Sequence, residues 1–193
     1  MKLFVFPALF ALLALPALAQ TGLKVGDAAP DFTGKDQSGQ TVSLASALKN
    51  GPVVLVFYRG FWCPYCSKQV SALQDSLRTL TAKGATVIAV SPEVAEGIGK
   101  TVEKTKASFA VVSDTDGAIM KAYDVRFELD AATATKYKGY GLDFAALNGA
   151  NGSSLPVPAT YVIGKDGKVA FVHFDPDFKN RPSVATLANA IPN

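Results

Sequence analysis

The chain has little of what holds metals or builds cross-linked scaffolds. Its 193 residues include two cysteines, one histidine and one tryptophan. Two cysteines cannot form the disulfide framework of a small secreted scaffold. Together with the lone, distant His173 they also fall short of a zinc ligand set, so no metal and no cofactor is expected. Excess charge of one sign is missing too. Lys plus Arg number 19 against 16 Asp plus Glu, a balance that argues against nucleic acid or an anionic membrane as partner. There is no internal repeat and no low-complexity tract, and the length suits one domain with a full core.

What is present begins with an address. Lys2 is followed by the uncharged run Leu3 to Leu15, then Pro16 and the small-residue site Ala17-Leu18-Ala19. This is the layout of a signal peptide, residues 1–19, cleaved before Gln20. A membrane anchor is the competing reading, disfavoured by the short run and by Pro7 and Pro16. The mature chain, 20–193, is then a single exported domain, periplasmic or secreted, with no stable membrane anchor and with its dithiol in an oxidising compartment.

The chain is organised around Val53-Val-Leu-Val-Phe-Tyr-Arg-Gly-Phe-Trp-Cys-Pro-Tyr-Cys66. Val53 to Tyr58 has no polar alternation, which predicts a strand buried on both faces. Val70, Leu73, Leu77 and Leu80 make one apolar helix face, predicting a helix from about Cys63 to Thr81. The strand therefore delivers two cysteines to its carboxyl end, where open α/β sheets bind ligands.

Before this stretch, the Gly34 and Gly39 cluster predicts a turn between two short edge strands, and Ser43 to Ala47 a short helical turn. After it, Thr86 to Ser91 reads as a buried strand, Pro92-Glu93 as the opening of a helix to Lys106, Phe109 to Ser113 as a strand and Ala118 to Tyr123 as a short helix. That alternation predicts parallel βαβ units. Arg126 to Pro156 shows no long period and reads as a loop. Lys165-Asp166-Gly167 between β-rich runs predicts an antiparallel hairpin, and Pro182 to Ile191 a closing helix.

A helix beginning at Cys63 puts Pro64 at its first position and Cys66 one turn on, within reach for a disulfide or a shared proton. The free amides of the helix start favour a thiolate. Arg59 and Lys68 add positive charge, and no acid follows until Asp75. These effects make the more exposed sulfur a nucleophile at neutral pH. A structural staple is a poor alternative, because so small a loop contributes only about 2 kcal/mol. His173, among apolar residues, reads as structural. Trp62 and Tyr65 read as packing and rim residues that shape access to the sulfurs.

Several segments in order carry a family resemblance: Val25-Gly-Asp-Ala-Ala-Pro-Asp-Phe32, Phe57-Tyr-Arg-Gly-Phe-Trp-Cys-Pro-Tyr-Cys66, Leu155-Pro-Val-Pro-Ala-Thr-Tyr-Val-Ile163 and His173-Phe-Asp-Pro-Asp-Phe178. Together they resemble the alkyl hydroperoxide reductase/thiol-specific antioxidant (peroxiredoxin-like) family of the thioredoxin-fold superfamily. The resemblance implies an α/β thioredoxin-like fold, a central mixed sheet with helices on both faces. It implies a cis Pro158 against the cysteine pair, as in thioredoxin-like proteins. It also implies a thiol peroxidase reducing hydrogen peroxide or alkyl hydroperoxides, re-reduced by an external thiol such as a thioredoxin-like protein. Three positions depart from the family: Arg59 stands for the proline and Cys63 for the threonine of the Pro-x-x-x-Thr-x-x-Cys run, and Pro158 stands where an arginine is expected.

The nucleophile is left open at this point. In the peroxiredoxin-like register Cys66 attacks and Cys63 resolves; counted from the helix start, as in a thiol-disulfide oxidoreductase acting on protein disulfides, Cys63 attacks. Both use a Cys63–Cys66 redox disulfide, with Arg59 as the nearby guanidinium. A copper-handling protein of this fold is disfavoured by the Cys-x-x-Cys spacing, and a pure interaction module leaves the dithiol without a purpose.

Overall fold

The computed structural model describes residues 20–192; the leader expected over residues 1–19 lies outside the described residues. Two short antiparallel strands, β1 (Thr33–Lys35) and β2 (Thr41–Ser43), run into helix α1 (Leu44–Asn50), which the Ser43 hydroxyl caps by accepting from the Ser46 amide. The apolar run forms β3 (Val53–Phe57), and the cysteine helix follows as α2 (Pro64–Asp75) and α3 (Leu77–Thr81). Next come β4 (Thr86–Ser91), α4 (Ala95–Thr105), β5 (Ala110–Ser113) and α5 (Ala118–Ala122). The last third holds β6 (Arg126–Glu128), α6 (Ala131–Gly139), α7 (Phe144–Asn148), β7 (Ser154–Pro156), the hairpin β8 (Ala159–Ile163) and β9 (Val169–Phe174), and α8 (Val184–Ala190).

Seven strands make one sheet in the order β2-β1-β5-β4-β3-β8-β9. β3 lies near its centre, parallel to β4 and antiparallel to β8, and β4 is parallel to β5, so the sheet is mixed as expected. All five residues of β3 are 0% exposed, which explains their lack of polar alternation: both faces are covered. Val54, Val56 and Tyr58 face Val70 and Leu73 of α2, Ile98 of α4 and Leu187 of α8. Val53, Leu55 and Phe57 face Leu44 of α1, Met120 of α5, and Tyr123. Each buried aliphatic side chain contributes about 1.5–3 kcal/mol, so the strand that carries the dithiol is among the best-anchored parts of the chain.

Three expectations needed correction. The helix expected to run unbroken to Thr81 is interrupted at Ser76 (φ −107°, ψ 14°), and the break turns Leu80 into the core beside α8. Pro92 and Glu93 do not open α4, because Glu93 turns inward and is buried, and the helix starts at Ala95. The stretch from Arg126 to Pro156 is an organised excursion rather than a loop. β6 and β7 pair as a two-stranded sheet, and α6 and α7 lie between them, capped by Asp130 and Asp143, which accept from the Thr133 and Ala145 amides. α6 buries no residue completely, so it leaves no apolar period in the sequence; its Asp130 cap and alanines were the only local signal.

Candidate active site

The site is built where β3 stops. Gly60 follows Arg59 at φ 151°, and a Cβ there would strike Trp62 Nε1 and lie 2.6 Å from Glu93 Oε1, so only glycine fits this turn. The turn closes with the Cys63 amide donating to the Gly60 carbonyl at 3.1 Å. Cys63 is the N-cap of α2 and Pro64 the first helical residue, as the sequence predicts. Cys66 sits within the first turn. Both cysteines are free thiols, and neither is the exposed sulfur that was expected: Cys63 is 1% and Cys66 0% exposed.

The sulfurs share a proton. The Cys66 thiol hydrogen-bonds the Cys63 sulfur, and with the Cys66 backbone amide and the charges of Arg59 and Arg181 this outweighs burial and lowers the Cys63 thiol to about 6. The same hydrogen bond, reinforced by burial, raises the Cys66 thiol well above the usual thiol range. The opposed directions favour the thiolate on Cys63 and the proton on Cys66.

Arg59, expected as the nearby cation, is 4% exposed. Its guanidinium lies 4.5 Å from the Phe178 ring centroid, 4.9 Å from Trp62 and 5.9 Å from Tyr137, and its Nη2 donates to the Tyr137 hydroxyl at 2.9 Å. Its Nε is buried without a partner, and no carboxylate pairs with it among the described residues. The Arg59 backbone amide donates to Cys66 Sγ at 3.5 Å.

A second guanidinium was not found by reading the sequence. Arg181 places Nη2 3.7 Å from Cys66 Sγ, while its Nε donates to Gln69 Oε1 at 2.8 Å and its Nη1 to the Asn180 carbonyl. Gln69 in turn donates to Thr160 Oγ1 at 3.0 Å, tying the arginine to β8. Arg181 stands 115 residues from Cys66, and nothing around Asn180-Arg181-Pro182 marks it; only the fold brings it here.

Glu93 was also missed as a site residue. Both carboxyl oxygens accept from the Phe61 amide at 3.1 Å, and Ser91 Oγ donates to Oε2 at 3.4 Å. Burial pushes this carboxyl up to about 8 against the pull of those hydrogen bonds. It therefore holds the Arg59–Trp62 turn largely as a neutral acid.

The residues expected to shape access are partly gathered. Trp62 is half-buried, its ring 5.7 Å from Tyr137 and 5.5 Å from Phe144, so α6 and α7 roof this side of the site. Tyr65 is exposed and meets Phe178 edge-on at 5.7 Å. Pro158 is buried and, with Arg59, Tyr137, Val157 and Phe178, lines a cavity of about 460 Å³. The peptide bond before it is trans, contrary to the cis bond expected. The β6–β7 pairing and the Val157 amide, which donates to the Val125 carbonyl at 2.7 Å, carry this segment in extended form straight into β8, and an extended residue before proline suits the ordinary trans bond. His173 lies on β9 with its Nε2 3.3 Å from the Asn180 carbonyl, outside the dithiol's contacts.

Comparison with known proteins places the chain by sequence and by fold. Chloroplastic peroxiredoxin Q of Oryza sativa subsp. japonica is 33% identical over 148 residues, covering 77% of this chain and 58% of the plant protein; the chain thus spans under two thirds of that relative's length. Peroxiredoxin Q of Sedum lineare is 32% identical over 148 residues, covering 67% of its length. Among solved structures, the peroxidoxin BcpB of Mycobacterium tuberculosis superposes with a TM-score of 0.67 at 24% identity, covering 87% of this chain and 94% of that one, which shows a shared thioredoxin-like fold. The thioredoxin domain of a thiol-disulfide oxidoreductase from Bacteroides vulgatus superposes at 0.59 with 20% identity, covering 88% of this chain and 99% of that one. The AhpC/TSA family model matches residues 25–172, and the chain belongs to the AhpC/TSA family.

Proposed function

We propose that the protein is a peroxiredoxin-type thiol peroxidase in which Cys63 attacks and Cys66 resolves. The observation that carries this is the place of Cys63 at the N-cap of α2, where the free amides of the helix start favour a thiolate; the lowered Cys63 thiol and the raised Cys66 thiol run the same way. The Cys63 thiolate attacks the terminal oxygen of the peroxide, the O–O bond breaks, and the departing oxygen takes a proton and leaves as alcohol or water. Cys63 is then a sulfenic acid, oxidised by two electrons. The Cys66 thiol attacks that sulfur, and its proton departs with the hydroxyl as water. The resulting Cys63–Cys66 disulfide is reopened by an external thiol.

Positive charge without a carboxylate partner supports this reading. Arg59 stabilises the anionic sulfur and the charge that develops on the departing oxygen. The cavity beside Arg59 and Pro158 offers the peroxide a place next to that guanidinium.

One observation favours the opposite assignment: the Arg59 amide and Arg181 Nη2 both point at Cys66 Sγ, the cysteine that the peroxiredoxin-like register selects. Trapping decides between them. Treated with hydrogen peroxide and a sulfenic-acid probe, Cys66→Ser is expected to label at Cys63, and Cys63→Ser to stay unlabelled. Labelling at Cys66 in Cys63→Ser at the wild-type rate reverses the roles. A wild type that consumes no peroxide yet reduces a protein disulfide is a thiol-disulfide oxidoreductase, and overturns the proposal.

A further inference from the structure

A groove that the peroxide chemistry does not use lies beside the dithiol, one side chain away from Cys66. It lies between α2 and the segment that leads into α8, with a volume of about 330 Å³. Leu73 and Leu187 form its apolar floor, Tyr65 stands at its rim, and Lys68, Lys179 and Arg181 line it. No carboxylate lines it, and neither lysine is in an ion pair among the described residues. Asp175, whose charge reaches Arg181, is turned to the Asp177 amide and Asn180 Nδ2 at 2.8 Å each. The inner end of the groove is the Arg181 guanidinium, 3.7 Å from Cys66 Sγ. Three cations over an apolar floor, with Arg181 standing between the groove and the buried Cys66 sulfur, complement a small molecule with carboxylates and a thiol.

From this geometry we infer that the groove binds a low-molecular-weight anionic thiol, which reduces the oxidised protein by attacking Cys66. The inference rests on the Cys63–Cys66 disulfide of the proposed function and names the reductant for it. The incoming thiolate bonds to Cys66 Sγ, the Cys63–Cys66 bond breaks, and Cys63 leaves with the electron pair. Cys63 is the better leaving group, since a thiol of lower pKa departs faster. A second molecule of the same thiol attacks the outer sulfur of the mixed disulfide, releasing the small-molecule disulfide, and Cys66 takes up a proton. Two thiols are oxidised and one protein disulfide is reduced. The protein would thus receive oxidant beside Arg59 and electrons beside Arg181.

The test isolates reduction from peroxide chemistry. The full chain is oxidised with diamide, and its reduction is followed by stopped-flow fluorescence of Trp62, the single tryptophan. Mercaptosuccinate, 2-mercaptoethanol and cysteamine serve as anionic, neutral and cationic probes, with rates divided by thiolate concentration. Mercaptosuccinate is expected to exceed 2-mercaptoethanol by about tenfold at low salt and cysteamine to fall below both, with the spread shrinking as salt is added. In the Lys68→Glu/Lys179→Glu double variant the anionic-to-neutral ratio is expected to fall to about one or below. Equal rates for the three probes, or a ratio untouched by charge reversal, overturn the inference; so does fast reduction by a thioredoxin while all three small thiols react alike. A dithiol that diamide does not close removes the proposed function as well. A disulfide that forms but is reduced without charge preference removes only the groove.

Discussion

Arg59 and Arg181 both bring positive charge to the same pair of sulfurs, and they are held in different ways. Arg59 is 4% exposed, stacked among aromatic rings, with one side-chain hydrogen bond and an unpartnered Nε. Arg181 is half-buried and spends three donors on Gln69, the Asn180 carbonyl and Cys66. Packing fixes the first, and no carboxylate pairs with its charge among the described residues. Hydrogen bonds orient the second at the edge of an open groove. A buried, unpaired cation acts through a low local dielectric and raises the anion it faces to a usable state, whereas a partly solvated one is screened. The difference teaches that the two sides of this dithiol are built for different events: a fixed electrostatic environment at Cys63, and an adjustable approach at Cys66.

The largest effects come from the sulfurs themselves. Cys63→Ser is expected to abolish peroxide consumption to the buffer rate, while Cys66→Ser gives one rapid turnover and then stops, read as a burst in a peroxide electrode. Wild-type activity is also expected to fall as pH drops through about 6, where the Cys63 thiolate gains its proton. A rate flat from pH 8 to pH 5 removes Cys63 as the titrating nucleophile.

Next in size are the two arginines, taken as a pair. Arg59→Met keeps the stacked volume and deletes the charge; it is expected to slow the oxidation step by on the order of 10- to 100-fold, about 1.4–2.8 kcal/mol of barrier. Arg181→Met is expected to slow oxidation by less than about fivefold, since its charge is shared with solvent. Stopped-flow oxidation at pH 7 measures both. If Arg181→Met proves the slower variant, the comparison inverts and Cys66 becomes the attacking sulfur.

How much of this asymmetry was written in the sequence follows from chain distance. The Arg59 side is almost local: strand, Gly60 turn, Cys63 cap and Pro64 lie within a dozen residues, and periodicity and capping rules read them directly. The sheet was legible for the same reason, because β3, β4 and β8 each announce burial through unbroken apolar runs. The roof over Trp62 was not, since α6 has neither a buried stripe nor strong punctuation and is held by the Asp130 cap. Arg181 was illegible in principle: a residue on an irregular segment after β9 carries no period, and only the β8–β9 hairpin returns it to the cysteines; Phe178 lies in the run that carries the resemblance, but its packing on Arg59 is written only in the fold. The cis Pro158 was carried over by resemblance and failed because local pairing favoured an extended, trans segment.

Glu93 sharpens the contrast, because a charged carboxylate here would sit beneath the Arg59 turn. Its carboxyl is raised to about 8 by burial, well above an unfolded glutamic acid. The stability this proton contributes is complete below about pH 4.3, the unfolded value, and is lost as pH rises through about 8. Urea unfolding of wild type and Glu93→Gln at pH 5 and pH 8 measures it. The glutamine keeps an acceptor for the Phe61 amide and carries no titrating proton. Relative to wild type the variant is expected to gain on the order of 1–3 kcal/mol between those pH values. Parallel pH profiles would show that Glu93 ionises freely, and would make Arg59 a compensated charge like any other.

The smallest expected effect tests how Arg59 is held. Tyr137 offers its only side-chain hydrogen bond among the described residues, across a gap of 78 residues, at 2.9 Å. Tyr137→Phe keeps the ring that stacks on Trp62 and lies 5.9 Å from the guanidinium, and removes the acceptor alone. If stacking fixes Arg59, the loss is about 1 kcal/mol of stability or less, with peroxide oxidation slowed by under about threefold. If instead the hydroxyl fixes it, Tyr137→Phe approaches the rate loss of Arg59→Met. In that case α6 is part of the electrostatic device rather than its cover, and the fixed side of the dithiol is fixed by a hydrogen bond, just as the adjustable side is.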